Sequence, residues 1–221
     1  MPERSKARLR GPREGARIAA MESQDTLEEM IREAHRRFDA LNAEDPRTLS
    51  VDGVARPREL LQADRLEAWL HRVVPTPSVP QRLAARCQHL ARFRIPRADY
   101  PEGRVGYLTW RRELAQMHAR LAIEILEAVG FDEPTREAVQ RILLKRDLHR
   151  DATVQAMEDA LVLAFLAHEL VPFIDDYEDA KIVDILRKSW TKMSPRGHAL
   201  ALELGLEGRA RRLLDEALRV G

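Results

Sequence analysis

From Ser23 onward, apolar residues return every three or four positions, and no stretch of four to eight residues alternates cleanly between turns. That spacing predicts an all-α chain, a single globular multi-helix bundle of about eight or nine helices. Asp25-Thr26-Leu27-Glu28 is a start signal, because the Asp side chain can accept an unpaired first-turn N–H; Leu27, Ile31, Ala34, Phe38 and Leu41 then share one face. A turn-rich segment, 43–56, precedes Pro57, whose fixed φ suits the opening of a second helix reaching Val73. Ser78-Val79-Pro80-Gln81 is a capping-box pattern that predicts a third helix running to Phe93. Pro96, Pro101, Gly103 and Gly106 mark 94–106 as a loop, and helices are expected over 107–129, 134–146 and 151–170. Within the last of these, Leu161 to Leu166 is apolar on every side, which places that helix at the centre of the bundle. Helices over 181–193, after the Ser194-Pro195 cap, and over 207–220 complete the pattern.

Residues 1–20 break it. They hold six basic side chains against Glu3 and Glu14 and no hydrophobic run, so they read as a disordered basic tail ahead of one helical domain over 21–221. Organelle targeting by this arginine-rich stretch, with Met21 as a second start, is the alternative. Without the tail the chain carries 31 basic and 34 acidic residues, so its basic character lies in the tail and supports no nucleic-acid role for the body. The arginines Arg92, Arg94, Arg97, Arg104, Arg111 and Arg112 read as solvated surface rather than an RNA-binding patch. With 44% hydrophobic residues among 221, the chain is no disordered polymer. Its longest apolar run, Ala160 to Ala167, is far short of a bilayer span, so no membrane partner is expected. Cys87, the lone cysteine, has no internal disulfide partner, and a reducing, cytoplasmic setting is expected.

Candidate chemistry falls on three helices. His118 shares a face with Leu114, Leu121 and Ile125, so it is either a core histidine with satisfied nitrogens or a ligand or acid–base group. Arg82, Arg86 and His89 border the third helix's apolar face, which suits either solvation or the grip of a phosphate, since a guanidinium donates two parallel hydrogen bonds. Arg97 and Lys145 extend this basic set. Glu158 and Asp159 lie in the central helix, where at least one carboxylate must face inward and needs a partner: Arg82, Arg86 or Lys145, or a metal, unless it serves as a general base.

Several motifs are excluded. His168-Glu169-Leu170-Val171-Pro172 lacks the second histidine of a zinc-protease helix, and no glycine-rich phosphate loop or Cys-x-x-Cys pair occurs. Lys192-Met193-Ser194-Pro195-Arg196 resembles the Lys-Met-Ser loop of class I aminoacyl-tRNA synthetases, but those enzymes need a parallel-sheet nucleotide fold for which this chain has no strands.

From Phe38 to Leu204 the chain resembles an uncharacterised family, domain of unknown function 4202. The resemblance is carried by Ala84-Ala85-Arg86-Cys87-Gln88-His89, Arg94-Ile95-Pro96-Arg97, Gly106-Tyr107-Leu108-Thr109-Trp110-Arg111, His118, Gln155-Ala156-Met157-Glu158-Asp159 and the segment from Asp184 to Ser194. Some members carry the label glutamyl-tRNA synthetase, against which the missing nucleotide fold argues. The layout also resembles the HD superfamily of helical metal-dependent phosphohydrolases. In that alignment Gln62 replaces the first His, Gln88-His89 the His-Asp pair, Asp159 is the last Asp and His118 an additional His. The resemblance implies a divalent metal on His89, His118 and Asp159, with His89, His118, Glu158 and Asp159 as catalytic groups and Arg82, Arg86, Arg97 and Lys145 binding a phosphate-bearing small molecule. A non-catalytic binding module on a degenerate HD-like core is the competing expectation.

Overall fold

The apolar stripe that opens the chain produces its longest helix. In the computed structural model, which describes residues 12–219, α1 spans Pro12–Asn42 and buries Ile31, Ala34 and Phe38, while Leu27 stays exposed. Its helical stretch begins inside the segment expected as a tail, because Pro12 can open a helix and the following Ala, Arg and Glu residues favour one. Residues 1–11, the rest of that segment, lie outside the described residues.

The turn-rich segment holds structure that the periodicity did not predict. Strands β1, Thr48–Val51, and β2, Val54–Pro57, form an antiparallel hairpin with Val51 opposite Val54. Asp52 and Gly53 connect them at φ 51° and 78°, the left-handed pair of a two-residue turn that matches strand twist. The strands are four residues each and largely exposed, too short for alternation to register.

Helix α2 spans Arg58–Val73 and α3 spans Val79–Cys87, the latter opened by the Ser78 N–H donating to Gln81 Oε1 at 2.9 Å. α3 stops well short of Phe93. Ala91 takes φ 53°, which no right-handed helix accommodates, and the chain descends through turns and short 3-10 pieces at Arg92–Arg94 and Arg97–Asp99. Helix α4, Gly103–Val129, starts earlier than expected and is pressed against the preceding loop: a β-carbon on Gly106 would stand 2.0 Å from the Pro101 carbonyl oxygen. Helices α5, Glu133–Leu143, and α6, Ala152–His168, are joined by a turn in which Lys145, Asp147 and His149 all have positive φ. After α6 the chain forms α7, Leu170–Ile174, which tolerates Pro172 in its first turn, where no helical N–H bond is lost. Helices α8, Asp179–Trp190, α9, Pro195–Leu202, and α10, Gly208–Leu218, follow. The described residues are thus all-α apart from one short hairpin.

α6 occupies the centre, packed on α2 and α9, with Met157, Ala160 and Leu163 almost wholly buried. A polar clasp joins the first three helices on the other side. The Arg86 guanidinium of α3 donates to both Asp39 carboxylate oxygens at 2.6 and 2.7 Å and to Asp64 of α2 at 2.6 Å, with its side chain only 11% exposed. Removing it strands those carboxylates, so Arg86→Ala is expected to lower the unfolding free energy by about 3 kcal/mol in urea titrations. At α9, Ser194 Oγ accepts from the Gly197 N–H at 3.2 Å and donates to the buried Asp159 carboxylate of α6, so Ser194→Ala is expected to lower stability by about 3 kcal/mol in the same assay.

Candidate functional site

Two adjacent carboxylates in the apolar central helix set the site's layout. Neighbours on a helix point about 100° apart, so Glu158 and Asp159 face different surroundings although both are at least 97% buried, at 3% and 1% exposure. Asp159 turns to the head of α9: its Oδ1 accepts from the Ser194 N–H at 2.8 Å and from Gln155 Nε2 at 3.1 Å, and its Oδ2 accepts from Ser194 Oγ at 2.5 Å. Gly197 has no room for a side chain, since a β-carbon there would lie 2.7 Å from Asp159 Oδ1. Glu158 instead accepts from the Lys145 ammonium, which the positive-φ turn before α6 presents. Of the pairings open to these acids, Lys145 is the one formed.

Lys145 also belongs to a histidine pair. The rings of His89, in the turn after α3, and His118, on α4, stand edge to face with centroids 6.3 Å apart. His118 is 4% exposed and its Nδ1 lies 2.7 Å from the Leu90 carbonyl oxygen. A carbonyl only accepts, so Nδ1 carries the proton and Nε2 keeps a free lone pair. Burial holds the His118 imidazole at about 4, well below the ordinary value of 6.5, although the Leu90 carbonyl favours its charged form. His89, half-buried, is pushed well below that value by desolvation and then by the charges of Arg92, His118, Lys145 and Arg111. Both rings are therefore neutral at pH 7, and burial and the nearby cations oppose their protonation.

The cations that depress His89 come from separate segments of the chain. Arg92 is half-buried, with its guanidinium 5.0 Å from the centroid of the Trp110 ring. Arg111 is exposed and lies two helical turns before His118, about 20° round the same face of α4. Lys192, whose carbonyl accepts from Gln155 Nε2 at 2.8 Å, adds its charge beside Lys145. Desolvation lowers the pKa of Lys145 despite the opposing attraction of Glu158. Behind Arg92, Glu59 of α2 is 2% exposed, and burial raises its carboxyl above the usual carboxylate range against the pull of Arg92 and Arg47. Two segments that supply these cations carry backbone strain, at Ala91 and Lys145, a feature common where side chains are held for function.

The expected residues are thus divided. His89 and His118 stand edge to face, the charge of Lys145 acts on His89, and Lys145 itself holds Glu158. Asp159 is claimed by Ser194, so the expected metal set of His89, His118 and Asp159 is not gathered. Among the described residues no group of three or more His, Cys, Asp or Glu side chains stands where it could hold one metal ion. Arg82 donates to both Glu28 oxygens at 2.6 and 2.8 Å, and Arg86 sits in its clasp. Arg97 donates to the Tyr100 and Pro101 carbonyls at 2.8 and 3.0 Å. The structure turns these three arginines to internal partners, whereas Arg92 and Arg111, which the sequence grouped with solvated surface, are the arginines whose charges act on His89 and His118. The helical step from Arg111 to His118 was the available signal for one of them; for Arg92, beyond the end of α3, no local signal exists.

An all-α bundle with a histidine pair under the charge of nearby cations is the class that fold and site define. The chain belongs to the family described as Domain of unknown function (DUF4202), whose model matches residues 32–214. No curated protein and no solved structure matches it. Among the described residues no helix is long and apolar enough to cross a membrane.

The imidazoles set a pH dependence. The unfolded chain binds protons at His89 and His118 more readily than the folded one, so stability is expected to fall as pH drops below about 6.5. For His118 alone the loss is on the order of 3 kcal/mol by pH 4, and denaturant titrations of His118→Gln should show a shallower decline.

Proposed function

We propose that this chain binds a phosphate-bearing small molecule between Arg92, Arg111 and Lys145, with His89 and His118 as the groups that exchange protons with it. The observation that carries the reading is two imidazole rings with centroids 6.3 Å apart, on which the charges of cations from three separate segments, Arg92, Arg111 and Lys145, act. A phosphate would offset like-charged neighbours that otherwise repel one another, and guanidinium groups match its oxygens in pairs. His118 is oriented through Nδ1, which leaves Nε2 as the base a bound ester or water would meet. The lone cysteine, Cys87, is buried and unpaired, which suits a cytoplasmic protein.

A non-catalytic binding role is favoured by a second observation: Glu158 is held by Lys145 and Asp159 by Ser194, so neither acid is free to work beside the imidazoles. In titration calorimetry at low salt, inorganic phosphate should bind the full chain, and Arg92→Gln with Arg111→Gln should weaken it at least about tenfold. Binding should also raise the pKa of both histidines in NMR titrations. If phosphate and simple phosphomonoesters neither bind nor move those resonances, the reading is wrong. Turnover of a phosphomonoester that His118→Ala abolishes would establish catalysis, whereas binding without turnover would establish the binding module.

A further inference from the structure

Among the described residues six buried side-chain polar atoms have no hydrogen-bond partner, and three of them, Glu59 Oε2, Gln62 Nε2 and Gln88 Oε1, fall on α2 and the turn that follows α3. The residues of these three are 2%, 7% and 7% exposed. An unpaired polar atom sealed from water is costly, and native proteins keep few of them. Here three occur together on two packed segments. Glu59 and Gln62 are three residues apart on α2, on neighbouring sides of one face, and α2 packs on α3, whose last turn leads into Gln88. Gln88 is bonded in sequence to His89 and lies four residues before Arg92, the arginine whose charge acts most strongly on Glu59. One orphan thus belongs to the strap that supplies His89 and Arg92, and the other two belong to the helix on which α3 packs, with Glu59 feeling the charge of Arg92.

Resting on that reading, we infer that Glu59, Gln62 and Gln88 form a second subsite that takes adjacent hydroxyl groups of the phosphate ester, so that the ligand is a sugar or polyol phosphate. The unmet demand is for two donors, to Glu59 Oε2 and Gln88 Oε1, and one acceptor, for Gln62 Nε2. Two neighbouring hydroxyls supply this set, because each can donate and accept at once. An ammonium group supplies donors alone and would sit amid the charges of Arg47, Arg58 and Arg92 that surround Glu59. A carboxylate supplies acceptors alone and would meet Glu59. The other Glu59 oxygen is occupied by Arg47 Nη2 at 2.6 Å, which aims the carboxyl and leaves Oε2 open to a ligand. Because the three atoms are sealed, admitting the hydroxyls requires the strap Gln88–Arg94 to shift, against the Ala91 N–H bond to Asn42 Oδ1 at 3.0 Å.

The test compares inorganic phosphate, ribose 5-phosphate and 2-deoxyribose 5-phosphate by titration calorimetry on the full chain, with Gln62→Leu and Gln88→Leu as variants and circular dichroism as the check on folding. Ribose 5-phosphate should bind at least about tenfold tighter than inorganic phosphate, with the deoxy sugar between them. Each variant should erase that preference while its affinity for inorganic phosphate stays within about twofold. Neither variant should melt earlier, since each removes an unpaired group. Phosphate binding with no preference for the sugar, or a preference that both variants retain, overturns the subsite and leaves the phosphate site standing. A crystal grown with ribose 5-phosphate in which water alone pairs the three atoms overturns it as well. Failure of all three probes to bind overturns the phosphate site, and the subsite with it.

Discussion

Burying two neighbouring carboxylates in an otherwise apolar central helix is the constraint from which the rest of the arrangement follows. Neither Glu158 nor Asp159 can lie unpaired in such a place, and their divergence on the helix forces them to recruit different partners. Asp159 draws in the Ser194 hydroxyl and backbone N–H and thereby seats the head of α9, on a glycine with no side chain to obstruct it. Glu158 draws in Lys145 and thereby holds the strained turn between α5 and α6. Docking of the C-terminal helices and the placing of a cation beside the histidines are consequences of one dipeptide.

Electrostatics on the two sides of α3 differ in kind. Toward α1 and α2, Arg86 meets an excess of acids, and charge is neutralised within the protein. Beyond the end of α3 cations gather: the charges of Arg92, Arg111 and Lys145 act on His89, and together with burial, the larger cause, they keep the imidazole uncharged. A saturated clasp gives rigidity, whereas gathered cations leave electrostatic attraction available to an anion. The segment of Gln88 to Arg94 joins the two regions, so the fixed position of Arg86 also fixes where the strap begins.

The helical periodicity was strong enough to reveal the bundle, its central member and the caps at Ser78 and Ser194, because each depends on contacts within a few residues. His118 was legible as a buried histidine on the same grounds, and the pairing of Glu158 with Lys145 was among the options that burial required. The hairpin escaped notice because its strands are short and exposed; Asp52-Gly53 was its one local mark. Arg92 escaped for a different reason, since α3 ends at Cys87 and the left-handed Ala91 follows, which removes the periodicity by which its direction could be read.

Local spacing settles which residues become helical and which faces are apolar, since backbone hydrogen bonds and side-chain burial along one helix act over a turn or two. It does not settle which charges meet. Arg82 and Arg86 carry the same chemistry as Arg92 and Arg111, yet the first two are quenched by Glu28, Asp39 and Asp64 and the last two are left facing a pair of histidines. That division arises from how the helices cross, because an ion pair forms wherever packing leaves opposite charges within reach, whatever their separation along the chain.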